Sequence, residues 1–128
     1  VWYDVSGNGF DSHSVSGTID AVEGDDGLSY LAGDTSASIC LSESNIIASE
    51  FTICSRSKYN GNSRQRIIQA TGANWLHGHW RGRAGVAYYN GWQIGSSSTL
   101  SDVDSWLVFC GQNGGSGYFR TNGATVAT

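Results

Sequence analysis

The chain has 128 residues, enough for one domain with a single core and too few for two. Seven Lys and Arg against eleven Asp and Glu give a net charge of −4, which argues against nucleic acid, because such a partner needs cations that neutralise its phosphates. Apolar residues make up 39% of the sequence, but no apolar run approaches the roughly 20 residues of a membrane-spanning helix. Eighteen Gly, five Trp and six Tyr with only 14% charged residues are typical of an all-β domain.

Apolar and polar residues alternate with period two along most of the chain, which indicates half-buried strands. The predicted strands, in chain order, are 18–22, 28–32, 37–41, 50–57, 65–70, 75–80, 83–89, 105–111 and 118–121. Tight turns are predicted at Asn60-Gly61, Asn90-Gly91 and Asn122-Gly123, because this pair tolerates positive φ angles. Only residues 43–49 have room for a short helical turn. The pattern therefore predicts an antiparallel two-sheet β-sandwich.

Two apolar runs, 51–55 and 106–110, carry apolar side chains on both faces and predict central strands that are covered above and below. The three cysteines, Cys40, Cys54 and Cys110, cannot all pair within the chain. Their alternating apolar surroundings favour buried thiols, with Cys54 and Cys110 slow to react with thiol reagents. One internal disulfide and a zinc site remain open as alternatives.

The opening segment Tyr3-Asp4-Val5-Ser6-Gly7-Asn8-Gly9 resembles the start of laminin-G-like, concanavalin A-like jelly-roll domains. Four later segments are similar to successive strands of a branch of this group that occurs as modules in large proteins of marine microbial eukaryotes. They are Phe51-Thr52-Ile53-Cys54, Trp75-Leu76-His77-Gly78-His79-Trp80, Gly85-Val86-Ala87-Tyr88-Tyr89 and Trp106-Leu107-Val108-Phe109-Cys110-Gly111-Gln112-Asn113.

This resemblance extends over essentially the whole chain. It implies one jelly-roll domain over residues 1–128 that lacks its last strands, because members of the group continue for some tens of residues beyond the position of Thr128. It also implies a secreted, cell-surface or other non-cytosolic location. It says little about activity, because the fold hosts lectins, glycosidases, adhesion modules and structural domains.

Catalysis is not predicted. Retaining glycosidases on this jelly roll resemble one another in a Glu-x-Asp-x-x-Glu strand motif, which places two carboxylates about 5 Å apart. No apolar strand of this chain carries that motif, and a Gly-x-Ser-x-Gly nucleophile elbow is absent from the sequence. The sequence therefore predicts a protein that is not an enzyme.

Two groups of side chains suggest metal ligands. Glu23, Asp25 and Asp26 offer hard oxygen ligands for calcium, and some domains of the resembled group bind calcium at loop carboxylates. A solvated acidic turn is the alternative. His77 and His79 share one strand face and could supply two ligands of a zinc or copper site, but two ligands are not a complete site, and ordinary packing is the alternative. No other cofactor is predicted.

Aromatic rings and guanidinium groups are dense between residues 75 and 92, a mixture that suits sugar faces and hydroxyls as well as protein hot spots. Alternation should turn about half of the rings inward, so the exposed members of the set are predicted to make the contacts. The predicted contact residues are Trp75, His77, Trp80, Arg81, Arg83 and Trp92. The function expected from them is a non-catalytic glycan- or protein-binding module of a larger secreted or surface protein. The alternative is a structural or accessory subunit or domain of a large multiprotein assembly, with no small-molecule ligand.

Overall fold

The computed structural model describes residues 2–41, 47–114 and 117–126. These residues form antiparallel β-strands and no helix, which confirms the predicted all-β class. The strands are β1 (Ser14–Ser16), β2 (Ile19–Glu23), β3 (Ser29–Gly33), β4 (Ser38–Cys40), β5 (Thr52–Ser57), β6 (Ile68–Gln69), β7 (Trp75–Trp80), β8 (Arg83–Tyr89), β9 (Leu107–Gln112), β10 (Tyr118–Thr121) and β11 (Ala124–Val126). The helical turn predicted within 43–49 falls mainly on residues 42–46, outside the described residues. Nowhere in the described ranges is there a helix that could span a membrane.

The chain divides by its contacts into residues 1–48 and 49–128, and each part is described by itself. In the first, β1 pairs with β4, and β2 pairs with β3 from Ile19↔Gly33 to Glu23↔Ser29. Ser12 is the only buried residue of the range 2–41, which we call the N-terminal unit. The two strand pairs of this unit therefore have little packing of their own. Isolated two-stranded pairs of this kind are only marginally stable in water.

Residues 49–126, the C-terminal unit, contain two sheets with the strand orders β11-β10-β9-β5 and β6-β7-β8. Leu107, Phe109 and Phe119 are fully buried on the inner face of the first sheet, and His77 is fully buried in the second. The two inner faces meet, because the ring of His77 hydrogen-bonds the carbonyl oxygen of Phe109 at 3.1 Å. This unit therefore has the two-layer packing predicted for a sandwich.

The prediction of two-sided burial for 51–55 and 106–110 is wrong. β9 does lie between β5 and β10, but Cys54 is exposed and Val108 keeps 44% of its surface accessible. Cys54 and Cys110 are directly opposite each other on this outer face and form a disulfide, so the preference for buried thiols is also wrong. A disulfide removes both reactive thiol groups, which is why these two cysteines do not need burial.

Two-sided burial occurs in β7 and β8 instead. Leu76 and Val86 are buried, as are His77 and Ala87 on the opposite face. Residues 91–99 run beside β8 and protect its free edge, since the amides of Gln93 and Thr99 donate to carbonyl groups of that strand. The bounds of β7 and β8 agree with the predicted ones.

The turns agree with the sequence only in part. Asn122-Gly123 joins β10 to β11 with φ angles of 47° and 84°, as predicted. Asn60-Gly61 lies in the long connection between β5 and β6 and closes no hairpin. β1 and β11 lie outside the predicted strands, and β11 lies at the edge of its sheet as the structure describes it.

Candidate functional site

Three aromatic rings and two guanidinium groups gather along the β7–β8 hairpin and the segment that follows it. The rings of Trp80 and Trp92 lie 5.1 Å apart between centroids at 58°, and Tyr88 meets Trp92 edge-on at 5.3 Å. The Cζ atoms of Arg81 and Arg83 lie 5.5 and 4.8 Å from the centroid of the Trp80 ring. We call these five residues the Trp80 cluster. It is the largest group of the predicted contact residues that the fold brings together.

The hairpin positions this cluster through its turn and register. Arg81 and Gly82 form a two-residue turn in which both φ angles are positive, 46° and 75°, as a tight hairpin with the twist of a sheet requires. Trp80 and Arg83 are therefore cross-strand partners, and Arg81 lies exposed at the tip. Trp92 reaches the group because an isolated bridge pairs its backbone with that of Tyr88.

The two arginines give the cluster a local positive charge. Neither Arg81 nor Arg83 forms a salt bridge with any residue that the structure describes. Their contacts with the Trp80 ring are cation–π contacts, which use the face of the guanidinium. The cluster thus combines aromatic rings, of which Trp92 is 40% exposed, with guanidinium donors of fixed geometry.

Trp75 and His77, the other two predicted contact residues, belong to the core. Trp75 is only 8% exposed and stacks on Tyr89 at 5.0 Å and 16°, and His77 is fully buried. Both point to the inner face of their sheet, opposite to Trp80 in the alternation of β7. Of the predicted set, Arg81 and Trp92 are therefore exposed, and Trp80 and Arg83 are half-buried.

His77 has one tautomer that satisfies both of its ring nitrogens. A carbonyl oxygen can only accept, so Nε2 donates to Phe109 O at 3.1 Å, and Nδ1 then accepts from the hydroxyl of Tyr89 at 2.7 Å. Burial lowers the pKa of His77 to about 4, helped by the neighbouring His79, and burial raises the pKa of Tyr89. Both nitrogens are engaged in the neutral state, so His77 has no lone pair available for a metal.

His79 is buried on the same face, where its Nδ1 lies 3.3 Å from the hydroxyl of Ser57 and its ring meets Tyr59 edge-on at 4.6 Å. Burial lowers its pKa to about 4. Its Nε2 has no hydrogen-bond partner among the described residues. The His-Gly-His spacing therefore reflects two neutral histidines of the core, which is the alternative that the sequence left open.

The calcium candidates lie elsewhere, on the β2–β3 hairpin of the N-terminal unit. Glu23 ends β2, while Asp25 and Asp26 lie in the connecting turn, where Asp26 Oδ1 accepts from the Leu28 amide at 3.1 Å. Across the described ranges, no three His, Cys, Asp or Glu side chains are grouped so that they could hold a metal ion. The hairpin therefore does not assemble the three carboxylates into one ligand set.

Two features of the site region were missed by the sequence analysis. Tyr88 was not in the predicted set, because it shares a face with Trp80 only through the bulge between Gly78 and His79, which shifts the register of β7 against β8. The Arg81-Gly82 turn was missed because Arg rarely adopts a positive φ, and the sequence signal for tight turns is Asn-Gly. Regular pairing from Trp80 and Arg83 would have placed Ala87 opposite Leu76, so alternation alone gave no signal for Tyr88.

No protein-family model matches the chain, and neither does any curated protein or solved structure.

Proposed function

We propose that this chain is a non-catalytic binding module that contacts a glycan through the Trp80 cluster, as part of a larger secreted or surface protein. The observation that carries the proposal is the concentration of Trp80, Trp92 and Tyr88 with two guanidinium groups that form no salt bridge with any described residue. Apolar ring faces suit the apolar faces of pyranoses, and guanidinium donors suit hydroxyl and acidic substituents. The resemblance to laminin-G-like domains, a fold that includes lectins, points in the same direction.

Two of the three carboxylates of the C-terminal unit, Asp102 and Asp104, bear on the non-catalytic part of the proposal. Asp104 is in a salt bridge with Arg64 at 2.5 Å. Asp102 accepts from the hydroxyl of Ser105, and this hydrogen bond lowers the pKa of its carboxyl group. A general acid needs a raised pKa, so Asp102 is not suited to protonate a leaving group.

A glycan array carrying neutral and uronic-acid polysaccharides, followed by titration with the best-bound glycan, tests this proposal. Replacing Trp92 or Trp80 by Ala should weaken binding at least about tenfold, since one desolvated Trp contributes roughly 2 kcal/mol or more. Trp106→Ala is the matched control, because Trp106 lies next to Arg56 and Lys58 on the other sheet and should leave the affinity unchanged.

Circular dichroism should show that all three variants remain folded. Folded Trp80 and Trp92 variants that bind as tightly as the parent would overturn the proposal. If the chain bound a protein and none of the glycans on the array, the ligand of the Trp80 cluster would be a protein, which is the other function expected of these residues. Hydrolysis of the bound glycan would contradict the non-catalytic part.

A further inference from the structure

Charged residues are unevenly distributed in the part of the chain that carries the Trp80 cluster. Between Glu50 and Asp102 the sequence has no Asp or Glu, yet this stretch contains six of the seven Lys and Arg of the chain. Arg81 and Arg83 lie within it, on either side of the hairpin turn. The residues around the cluster in sequence therefore supply positive charge and no carboxylate.

The carboxylates nearest in sequence do not pair with the cluster in the fold either. Asp104 is in a salt bridge with Arg64 at 2.5 Å. Neither Arg81 nor Arg83 forms a salt bridge with any residue that the structure describes, in either part of the chain. An anionic ligand would therefore meet both guanidinium groups without first displacing a protein carboxylate from them.

The ring of Trp80 holds both guanidinium groups beside one surface. The Cζ atoms of Arg81 and Arg83 lie 5.5 and 4.8 Å from its centroid. Stacking on an aromatic face restricts the orientations of a long side chain before a ligand arrives, and this lowers the ordering cost of binding. The two cations are therefore positioned to act together on one ligand.

The chemistry of guanidinium favours an acidic ligand over a neutral one. Its planar fork donates two parallel N–H bonds to the oxygens of a carboxylate or a sulfate, and such charge-assisted bonds are roughly twice as strong as neutral ones. A neutral glycan would remove water from both cations and offer only hydroxyl oxygens in return. It would thus leave their charge uncompensated, which is costly.

We propose that the glycan bound by the Trp80 cluster is an acidic polysaccharide, whose carboxylate or sulfate groups pair with Arg81 and Arg83 while a sugar ring lies on Trp92. This inference rests on the proposed function and names the class of glycan. Trp92 and Arg81 are exposed and accessible to a chain of sugars. Arg83 is half-buried, where solvent screens an ion pair less than it does at a fully exposed position.

Two pairs of polysaccharides test the inference, because within each pair the sugar backbone is the same and the charge differs. One pair is polygalacturonate and its methyl ester, and the other is dextran sulfate and dextran. Calorimetric titration at one fixed ionic strength should give an affinity at least about tenfold higher for the acidic member of at least one pair. The pair with the larger preference identifies carboxylate or sulfate as the anionic group.

Removing the two charges should remove this preference. Arg81→Gln with Arg83→Gln should weaken binding of the preferred acidic glycan at least about tenfold and binding of its neutral partner less than about twofold. The matched control is Lys58→Gln with Arg120→Gln, which removes the same charge from side chains that contact Trp106 and Tyr118. It should keep the preference of the parent, and circular dichroism should show that both double variants are folded.

The outcomes separate this inference from the proposed function. Neutral members bound as tightly as their acidic partners, or a preference that survives in the Arg81 and Arg83 variant, would overturn the inference and leave glycan binding intact. An equal loss in the control would also overturn it, because total charge would then explain the preference. Poly-L-glutamate bound as tightly as the acidic glycan would replace the sugar by an acidic peptide. Absence of binding to every glycan, charged or neutral, would overturn the proposed function as well.

Discussion

The C-terminal unit buries Leu107, Phe109 and Phe119 completely between two sheets, whereas the N-terminal unit buries only Ser12. Both units are built from the same kind of alternating sequence, so alternation by itself does not decide stability. What differs is whether a second layer covers the apolar face of the strands. Each square ångström of apolar surface removed from water contributes roughly 25 cal/mol, so we expect most of the folding free energy to come from the C-terminal unit.

The N-terminal unit depends instead on local hydrogen bonds. The carboxylate of Asp4 accepts from the amides of Ser6, Asn8 and Phe10 and from the hydroxyl of Ser6, which organises the loop 4–10. Gly7 and Gly9 allow this loop, with φ angles of 81° and 76°. Such bonds fix a conformation but contribute little free energy at an exposed position.

The largest effect is expected in the sheet-to-sheet core. Phe109→Ala should lower the free energy of unfolding by about 3–5 kcal/mol, because it leaves a cavity between the two layers. Leu31→Ala, at a residue that is 44% exposed in the N-terminal unit, should change it by less than about 0.5 kcal/mol. Urea unfolding measures both. Similar losses for the two variants would contradict the contrast between the units.

The disulfide gives the second effect. Cys54 and Cys110 are 56 residues apart, so their bond restricts most of the unfolded C-terminal unit. Replacing both by Ser should cost about 2–4 kcal/mol. Thermal unfolding measures the loss of stability in the double variant. Cys40→Ser is the control, because it removes a thiol without breaking the disulfide. Equal melting temperatures for the double variant and the parent would show that the disulfide does not stabilise the fold.

Acid should act on the core before it acts on the Asp4 loop. His77 and His79 have a folded-state pKa of about 4 against a usual value of 6.5, so the unfolded chain binds more protons between these values. Their contribution is complete above pH 6.5 and is lost as the pH falls toward 4, by up to about 3 kcal/mol for each histidine.

The measurement is the free energy of unfolding of the parent and of His79→Asn between pH 7 and 4. The variant should depend less on pH in this window. Identical slopes for the two proteins would show that His79 does not titrate as its burial requires.

The smallest effect belongs to Asp4. Hydrogen bonds from Ser6 and from the amides of Phe10 and Asn8 lower the pKa of its carboxyl group to about 2, so its contribution is lost only as the pH falls from 3.8 toward 2. Asp4→Asn should alter the amide chemical shifts of residues 4–10 while leaving the global unfolding midpoint unchanged. A lower midpoint would mean that the loop supports the core.

The sequence was sufficient for elements that period-two alternation determines. The predicted bounds of β7 and β8 agree with the observed ones, because the alternating runs end at the Arg81-Gly82 turn on one side and at Asn90 on the other. The sequence could not say which of their faces is inside, because that depends on β9, whose Phe109 carbonyl accepts from His77 across 32 residues of sequence. For the same reason, Trp75 could not be separated from Trp80 as a contact residue.

The other differences between the sequence predictions and the structure come from the pairing of strands that are distant in the sequence. The alternation put Cys54 and Cys110 each on an apolar run, but only the pairing of β5 with β9 places them opposite each other and on the outer face. The Trp80 cluster depends on a turn at Arg81 with a positive φ, and on Trp92 returning beside Tyr88. Neither relation has a local signal in the sequence.

Amide hydrogen exchange, resolved by residue in a dilute sample, tests the contrast between the units most directly. We expect the slowest exchange in β7, β8, β9 and β10, at rates set by global unfolding, and fast exchange in β2 and β3 through local opening. Protection of β2 and β3 equal to that of β9 in the dilute sample would contradict the account, because it would place the N-terminal unit within the same cooperative core.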